Sequence, residues 1–182
     1  MSGFRHPDAN IRCMLAVLLI TAATLVQPPA RPTTGFRAEF LSDLDTVQKK
    51  IVDLATVMPA NKYGWRPAKG VRSISEVYMH IAGGNYVQAN YLGAKSPVSN
   101  RLEQTTDKAR VLEELKRSFD QLRRAILMTS DADLDKPMQI FGTDTTVRAA
   151  FITALNHLHE HLGQSIAYAR MNGVVPPWSG RE

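Results

Sequence analysis

A helical spacing of apolar residues in four long segments constrains the fold of this chain more than any other feature. The first segment reads "GFRAEFLSDLDTVQKKIVDLATVM". Its apolar side chains recur every three or four residues, at Phe36, Phe40, Leu44, Val47, Ile51, Leu54 and Met58. That spacing places one apolar stripe along one face of an amphipathic helix. Pro59 follows the segment and helps to end the helix.

The second segment begins with a helix-start signal. The stretch before it, "PANKYGWRPAKGVRS", is rich in proline and glycine and predicts a long loop. Ser73 is then followed three residues later by Glu76, which is the spacing of a capping box. We therefore predict a second helix that starts at this point and runs to about Tyr91.

Two further helices complete the pattern. The third should begin near Thr106 and end at about Ser130, with apolar positions at Ala109, Leu112, Leu115, Phe119, Leu122 and Ile126. The looser stretch "DADLDKPMQIFGTDTT" could hold a turn or a short strand pair around Gly142. The fourth helix should start near Thr145 and end at Asn172 and Gly173, because Gly173 supplies a left-handed cap and two prolines follow. Four long helices without a convincing strand ladder predict an all-α four-helix bundle.

Composition limits the domain count and the partners. With 182 residues, of which 44% are hydrophobic, the chain has enough apolar material for one globular domain, which we place at residues 34–179. The net charge is +5, and the lysines and arginines are spread along the chain with acidic residues between them, as in "DKARVLEELKRSFDQLRR". Scattered charge of this kind is typical of a solvated helix face and argues against a nucleic-acid partner.

The first thirty residues have the layout of a secretory signal peptide. Arg5 and Arg12 precede an uninterrupted apolar run, "MLAVLLITAATLV", and "QPPARP" follows it. The run is too short to span a bilayer comfortably, which takes about 20 residues. We expect export to the periplasm or the extracellular space, with no stable membrane partner beyond an N-terminal anchor. An uncleaved anchor and a misassigned start codon stay open as alternatives.

Cysteine use restricts the chemistry of the predicted domain. The single cysteine, Cys13, lies within the first thirty residues, so residues 34–179 contain no thiol. This excludes a cysteine nucleophile, a cysteine-based metal site and a disulfide framework from the domain.

Three of the five histidines lie within "NHLHEHLGQ", residues 156–164 of the predicted fourth helix. On a helix, His157 and His161 are one turn apart on the same side, whereas His159 points away from both and is expected to be solvated. Two imidazoles at positions i and i+4 form a common helical clamp for a metal ion. A complete site still needs at least one more protein ligand.

His80, on the predicted second helix, is the histidine available as that third ligand. Bundles commonly build metal sites from side chains on facing helices. Two simpler interpretations remain open from the residues alone. His80 could be a core residue hydrogen-bonded to a backbone carbonyl, and the pair on the fourth helix could be a surface feature without a ligand.

Glu76 is the acidic residue next to a candidate ligand, one turn before His80. It could orient the imidazole of His80 or act as a catalytic base. Its capping-box role is the simpler interpretation. Four further polar residues could line a cavity or could serve in packing and interhelical hydrogen bonds: Asn85, Tyr86, Gln164 and Tyr168.

Two stretches, "WRPAKGVRSISEVYMHIAGGNYV" and "HLHEHLGQSIAYARMNGVVPPWS", resemble the DinB-like superfamily of four-helix bundles. The resemblance covers residues 36–179. It is carried by the Trp65-Arg66-Pro67 loop, the H-x-x-x-H-x-G-Q pattern of His157, His161, Gly163 and Gln164, and the ending at Gly173, Pro176 and Pro177. At Leu162 the chain departs from many relatives, which have a basic residue between the second histidine and the Gly-Gln pair.

The resemblance implies a divalent metal cofactor, usually described as zinc or nickel in the family. One histidine from the second helix and two from the last hold it, which correspond to His80, His157 and His161. Three protein ligands leave a coordination position open, as in catalytic sites. Relatives include metal-dependent thiol transferases and a thiol-dependent isomerase, alongside members without known activity, and they often form homodimers.

Two functions follow as expectations. The first is a metal-dependent hydrolase or transferase that acts on a small molecule. The second is a non-catalytic metal-binding, sensing or stress-related structural bundle. Export would separate the protein from cytoplasmic thiol cofactors, which favours hydrolysis or no catalysis over thiol transfer.

Overall fold

The computed structural model describes Gly3, residues 30–95, Leu102 and residues 105–180. Within these residues four helices and one hairpin follow in the order α1 (Phe36–Val57), α2 (Ile74–Tyr91), α3 (Lys108–Met128), β1 (Pro137–Ile140), β2 (Thr143–Thr146) and α4 (Val147–Met171). Short 3-10 turns at Ala60–Lys62 and Asp131–Asp133 lie between them. The predicted all-α four-helix bundle is therefore confirmed.

Side-chain caps fix where three of the helices begin. At the start of α2, the backbone N–H of Ser73 donates to the Glu76 carboxylate at 2.7 Å, while the Ser73 hydroxyl accepts from the Glu76 N–H at 3.3 Å. At the start of α3 the Asp107 carboxylate accepts from the N–H of Arg110, and at the start of α4 the Thr146 hydroxyl accepts from the N–H of Ala149, in both cases without a reciprocal bond. Each cap satisfies a backbone donor that would otherwise lack a partner in the first helical turn.

The stretch before α4 is more ordered than the sequence indicated. β1 and β2 pair antiparallel, with Ile140 opposite Thr143. Phe141 and Gly142 form the turn between them with φ angles of 50° and 79°, the left-handed region that a tight two-residue hairpin requires. The fourth helix begins at Val147, two residues after the predicted start near Thr145, because Thr145 and Thr146 pair in β2.

An apolar core joins the helices. On α1 and α4, the rings of Phe40 and Phe151 lie with centroids 5.0 Å apart, and Phe36 stacks on Phe151 at 6.1 Å. The apolar positions predicted for the first helix include five that are fully buried, namely Leu44, Val47, Ile51, Leu54 and Met58. Burial of such side chains stabilises the fold by about 1.5–3 kcal/mol each before the entropy cost of ordering.

Long basic side chains form hydrogen bonds and an ion pair at the two ends of α1. Lys108 donates through Nζ to the carbonyl oxygens of Thr56 and Met58, at 2.6 and 2.8 Å, where α1 ends. At the other end of the helix, Arg37 donates to the carboxylate of Asp131 at 2.9 Å. These contacts tie α1 to the start of α3 and to the 3-10 turn that follows α3.

The N-terminal segment lies outside the described residues, apart from Gly3 and Ala30. The predictions of a signal peptide or anchor, and the position of Cys13, fall in that part of the chain, so export stays a prediction. In the portion of the chain that is described, no helix is long and apolar enough to cross a membrane.

Candidate metal centre

The fold brings together the three histidines that the sequence selected. His80 comes from α2, and His157 and His161 come from successive turns of α4. Each offers a ring nitrogen, and the three nitrogens lie within 4.8 Å of one another. His159, on the same helix, is exposed, as its angular position predicted.

One pair of nitrogens already has the spacing that a divalent ion requires. Nε2 of His157 is 3.2 Å from Nε2 of His80. Zinc–nitrogen bonds of about 2.05 Å at tetrahedral angles would separate two ligand nitrogens by about 3.3 Å. The ring centroids lie 4.6 to 5.1 Å apart, and the ring planes cross at 61° to 88°, so the rings converge edge-on instead of stacking.

A hydrogen-bonded neighbour determines which nitrogen His161 can offer. Nδ1 of His161 donates to Oε1 of Gln164 at 2.9 Å. The amide nitrogen of Gln164 donates in turn to the hydroxyl of Tyr168 at 3.1 Å, which keeps Oε1 turned toward His161. With its proton on Nδ1, His161 has a free lone pair on Nε2 for a metal.

The loop before α2 supports this hydrogen-bonded chain. Trp65 packs edge-on against the ring of Tyr168, with centroids 5.5 Å apart. The carbonyl oxygen of Trp65 accepts from the N–H of Ile74 at 3.0 Å, so the loop is attached to the start of α2. Trp65 therefore serves in packing, and the Tyr168 ring it packs against carries the hydroxyl that accepts from Gln164.

Burial keeps the imidazole of His157 neutral, while the centre stays accessible to solvent. His161 is buried, whereas His80 and His157 are partly exposed. The pKa of His157 is lowered to about 4, mainly by burial and further by the neighbouring charges of His161, His80 and Arg72. A neutral imidazole at pH 7 is the form that binds metal.

Glu76 is committed to the start of α2. Its carboxylate accepts from the Ser73 N–H and, at 2.9 Å, from the guanidinium of Arg66. The Ser73 hydrogen bond and, against the opposing effect of burial, the Arg66 contact hold the pKa of Glu76 below its usual value. Among the described residues, the cluster of metal-binding side chains contains the three histidines and no carboxylate. The catalytic role of Glu76 stays a prediction, and the contacts observed belong to the capping box.

Asn85 and Tyr86 are directed toward α3. Asn85 donates to the hydroxyl of Ser118 at 3.1 Å, and Tyr86 donates to the carboxylate of Glu114 at 2.5 Å. Both therefore serve in interhelical hydrogen bonding, which was the simpler interpretation of the sequence.

Sequence reasoning missed Gly84, which lies one turn after His80 on α2. The ring of His157 lies against this residue, where any side chain would collide with it. A glycine in the interior of a helical pattern is the signal that could have drawn attention to it, since such a glycine usually has a packing or functional reason.

Comparisons with known proteins agree with this fold. Residues 43–165 match the DinB superfamily. A DinB-like protein from Bacillus cereus is similar in structure, with a TM-score of 0.69 and 19% identity over 76% of this chain and 93% of that one. A DinB-like protein from Bacillus subtilis has a TM-score of 0.61 and 21% identity over 74% and 92% of the two chains.

A conserved protein from Enterococcus faecalis shares the fold with a TM-score of 0.65 and 13% identity, over 76% of this chain and 97% of that one. No curated protein matches the sequence. At these identities the solved structures support the fold alone.

Replacing Gln164 should change the tautomer of His161. In Gln164→Leu the Nδ1 proton loses its acceptor, so we expect it to redistribute between the two ring nitrogens. Gln164→Glu, which keeps an acceptor oxygen, should retain the Nδ1–H form. Nitrogen-15 NMR of the metal-free protein at pH 7.5 reports the tautomer directly. An unchanged His161 signal in Gln164→Leu would show that the amide does not set the tautomer.

Replacing Glu76 should weaken the start of α2 and leave the histidines in place. Glu76→Ala should lower the free energy of unfolding by about 1 kcal/mol at pH 7, because the capping box is lost. Glu76→Gln should lose less, since its amide oxygen still accepts from Ser73. Because the carboxyl pKa is depressed in the folded state, its contribution is present above the unfolded value near 4.5 and is lost as the pH falls further.

Urea unfolding of the wild type and the two Glu76 variants at pH 7 and pH 3 measures these differences. Equal stability of wild type and Glu76→Ala at pH 7 would contradict the capping role.

Proposed function

The chain belongs to the DinB superfamily, and on that premise we propose that it binds a divalent metal ion through His80, His157 and His161. The observation that carries the proposal is the convergence of three ring nitrogens, within 4.8 Å, from two different helices. Such a cluster is costly to build by chance, because each imidazole gives up hydration and must find another partner.

The donor set narrows the choice of metal. Neutral imidazoles suit zinc, nickel, copper and iron, and they are poor ligands for magnesium or calcium. We propose zinc or nickel as the resident ion, which agrees with the family resemblance in the sequence. When bound, the ion supplies Lewis acidity to a water molecule or a substrate atom at its open position.

We further propose that the protein is a metal-dependent hydrolase or transferase acting on a small molecule. The partial exposure of His80 and His157 supports access from solvent to the centre. The three histidines would hold the ion, and burial would keep the imidazole of His157 neutral. Through its contact with Nδ1, Gln164 would orient His161.

One observation favours the second candidate, a non-catalytic metal-binding bundle. A hydrolytic centre usually has a base within hydrogen-bond reach of the proton to be removed. Within the described part of the chain, the three-histidine cluster includes no carboxylate, and Glu76 is already engaged by Ser73 and Arg66. A substrate whose own carboxylate accepts that proton would not need a base from the protein.

Partners and location belong to the same proposal. The exported domain would meet a small-molecule substrate and would form a homodimer, with no nucleic acid and no stable membrane partner beyond an N-terminal anchor. These statements are supported by the sequence of residues 1–30, by the scattered charge and by the family resemblance.

Metal content is the first test. The purified domain should contain about one equivalent of zinc or nickel, and His157→Ala should lose it because two ligands cannot complete the site. His159→Ala, an exposed neighbour on the same helix, is the matched control and should keep the metal. Elemental analysis after reconstitution and gel filtration gives the stoichiometry. Equal metal content in His157→Ala and the wild type would reject the site.

Catalysis is tested on the metal-loaded protein. We expect hydrolysis of small esters or amides, or transfer to thiols, at a rate that His80→Ala reduces to background and His159→Ala leaves unchanged. Rates are measured by chromatography of substrate and product at several protein concentrations. Stoichiometric metal binding without turnover of any of these compounds would support the non-catalytic bundle instead.

A further inference from the structure

Gly84, on α2, lies so close to the ring of His157 that a side chain at this position would overlap the ring. A Cβ atom built on Gly84 would lie 2.4 Å from Cε1, 2.9 Å from Nδ1 and 3.2 Å from Nε2 of His157. Carbon atoms in favourable contact are about 3.5–4.0 Å apart. Any side chain at position 84 would therefore require the imidazole to move by about 1 Å.

The neighbouring residue provides a comparison within the same helix. A Cβ atom built on Gly83 meets no atom within 4 Å, so alanine fits there without rearrangement. Neither glycine has a positive φ angle, and backbone conformation does not require glycine at either position. Because glycine destabilises a helix interior relative to alanine, Gly84 is explained by the space that His157 needs.

We infer that Gly84 is a positioning residue of the metal centre, and this inference rests on the proposed function for its metal-binding consequence. His80 and Gly84 are one turn apart, so α2 presents a ligand and, beside it, a side-chain-free surface. The ring of His157 packs on that surface with its Nε2 3.2 Å from Nε2 of His80. A displacement of about 1 Å exceeds the tolerance of about 0.2 Å in metal–ligand distances.

The first experiment compares zinc affinity in three proteins. Gly84→Ala should bind zinc about 10- to 100-fold more weakly than the wild type, the range seen when residues that orient ligands are replaced. Gly83→Ala should bind as the wild type does. Competition with a chromophoric chelator gives the dissociation constants. Wild-type affinity in Gly84→Ala would overturn the inference.

A second experiment needs no metal and separates this inference from the proposed function. In the metal-free protein, Gly84→Ala should have a lower melting temperature than Gly83→Ala, because the new methyl group collides with the ring of His157. Each kcal/mol lost to this collision should lower the melting temperature by roughly 2–4 °C. In the His157→Ala background the same substitution should cause no such loss, because the ring is absent.

The outcomes are distinct. If the wild type binds no zinc but the Gly84→Ala penalty depends on His157, the proposed function fails and the positioning of the ring by Gly84 stands. If the melting temperatures show the same effect of Gly84→Ala with and without His157, the inference is wrong, whatever the protein binds.

Discussion

The packing of α2 against α4 is the constraint on which the candidate centre depends. His80 and Gly84 lie on one of these helices and His157 and His161 on the other, so a small change in their separation would move every donor atom. The Ser73 capping box at α2 and the Thr146 cap at α4 fix where the two helices start. Since the caps set the helix register, they also set which side chains meet across the interface.

The buried imidazole of His161 is hydrogen-bonded to polar side chains further along α4. Burying His161 without a hydrogen-bond partner would be costly. Its Nδ1 bonds to Gln164, and Gln164 in turn bonds to Tyr168. Trp65 then connects Tyr168 to the loop before α2. The loop before α2 is thus connected to Nδ1 of His161 through Tyr168 and Gln164, although Trp65 is distant from these residues in sequence.

Periodicity and spacing could predict much of this arrangement, because both are local properties. The apolar stripe of α1, the Ser73 and Glu76 cap and the one-turn separation of His157 and His161 all follow from helix geometry. Gly84 was not predictable from spacing, since its contact with His157 depends on the distance between two helices. The hairpin before α4 was only partly predicted, because Phe141 adopts a left-handed backbone conformation that is uncommon for a bulky residue.

Charge balance distinguishes the chemistries that such a centre could support. Three neutral imidazoles bring no negative charge to a divalent ion, and among the described residues the cluster adds no carboxylate. The pKa of His157 is lowered mainly by burial and further by His161, His80 and Arg72, so the neutral form of this ligand is favoured. A divalent ion held by neutral ligands alone would keep its full positive charge, which would favour an anionic fourth partner such as a carboxylate or a thiolate. The substrate, more than the protein, would then provide the group that an acidic side chain provides in many hydrolytic centres.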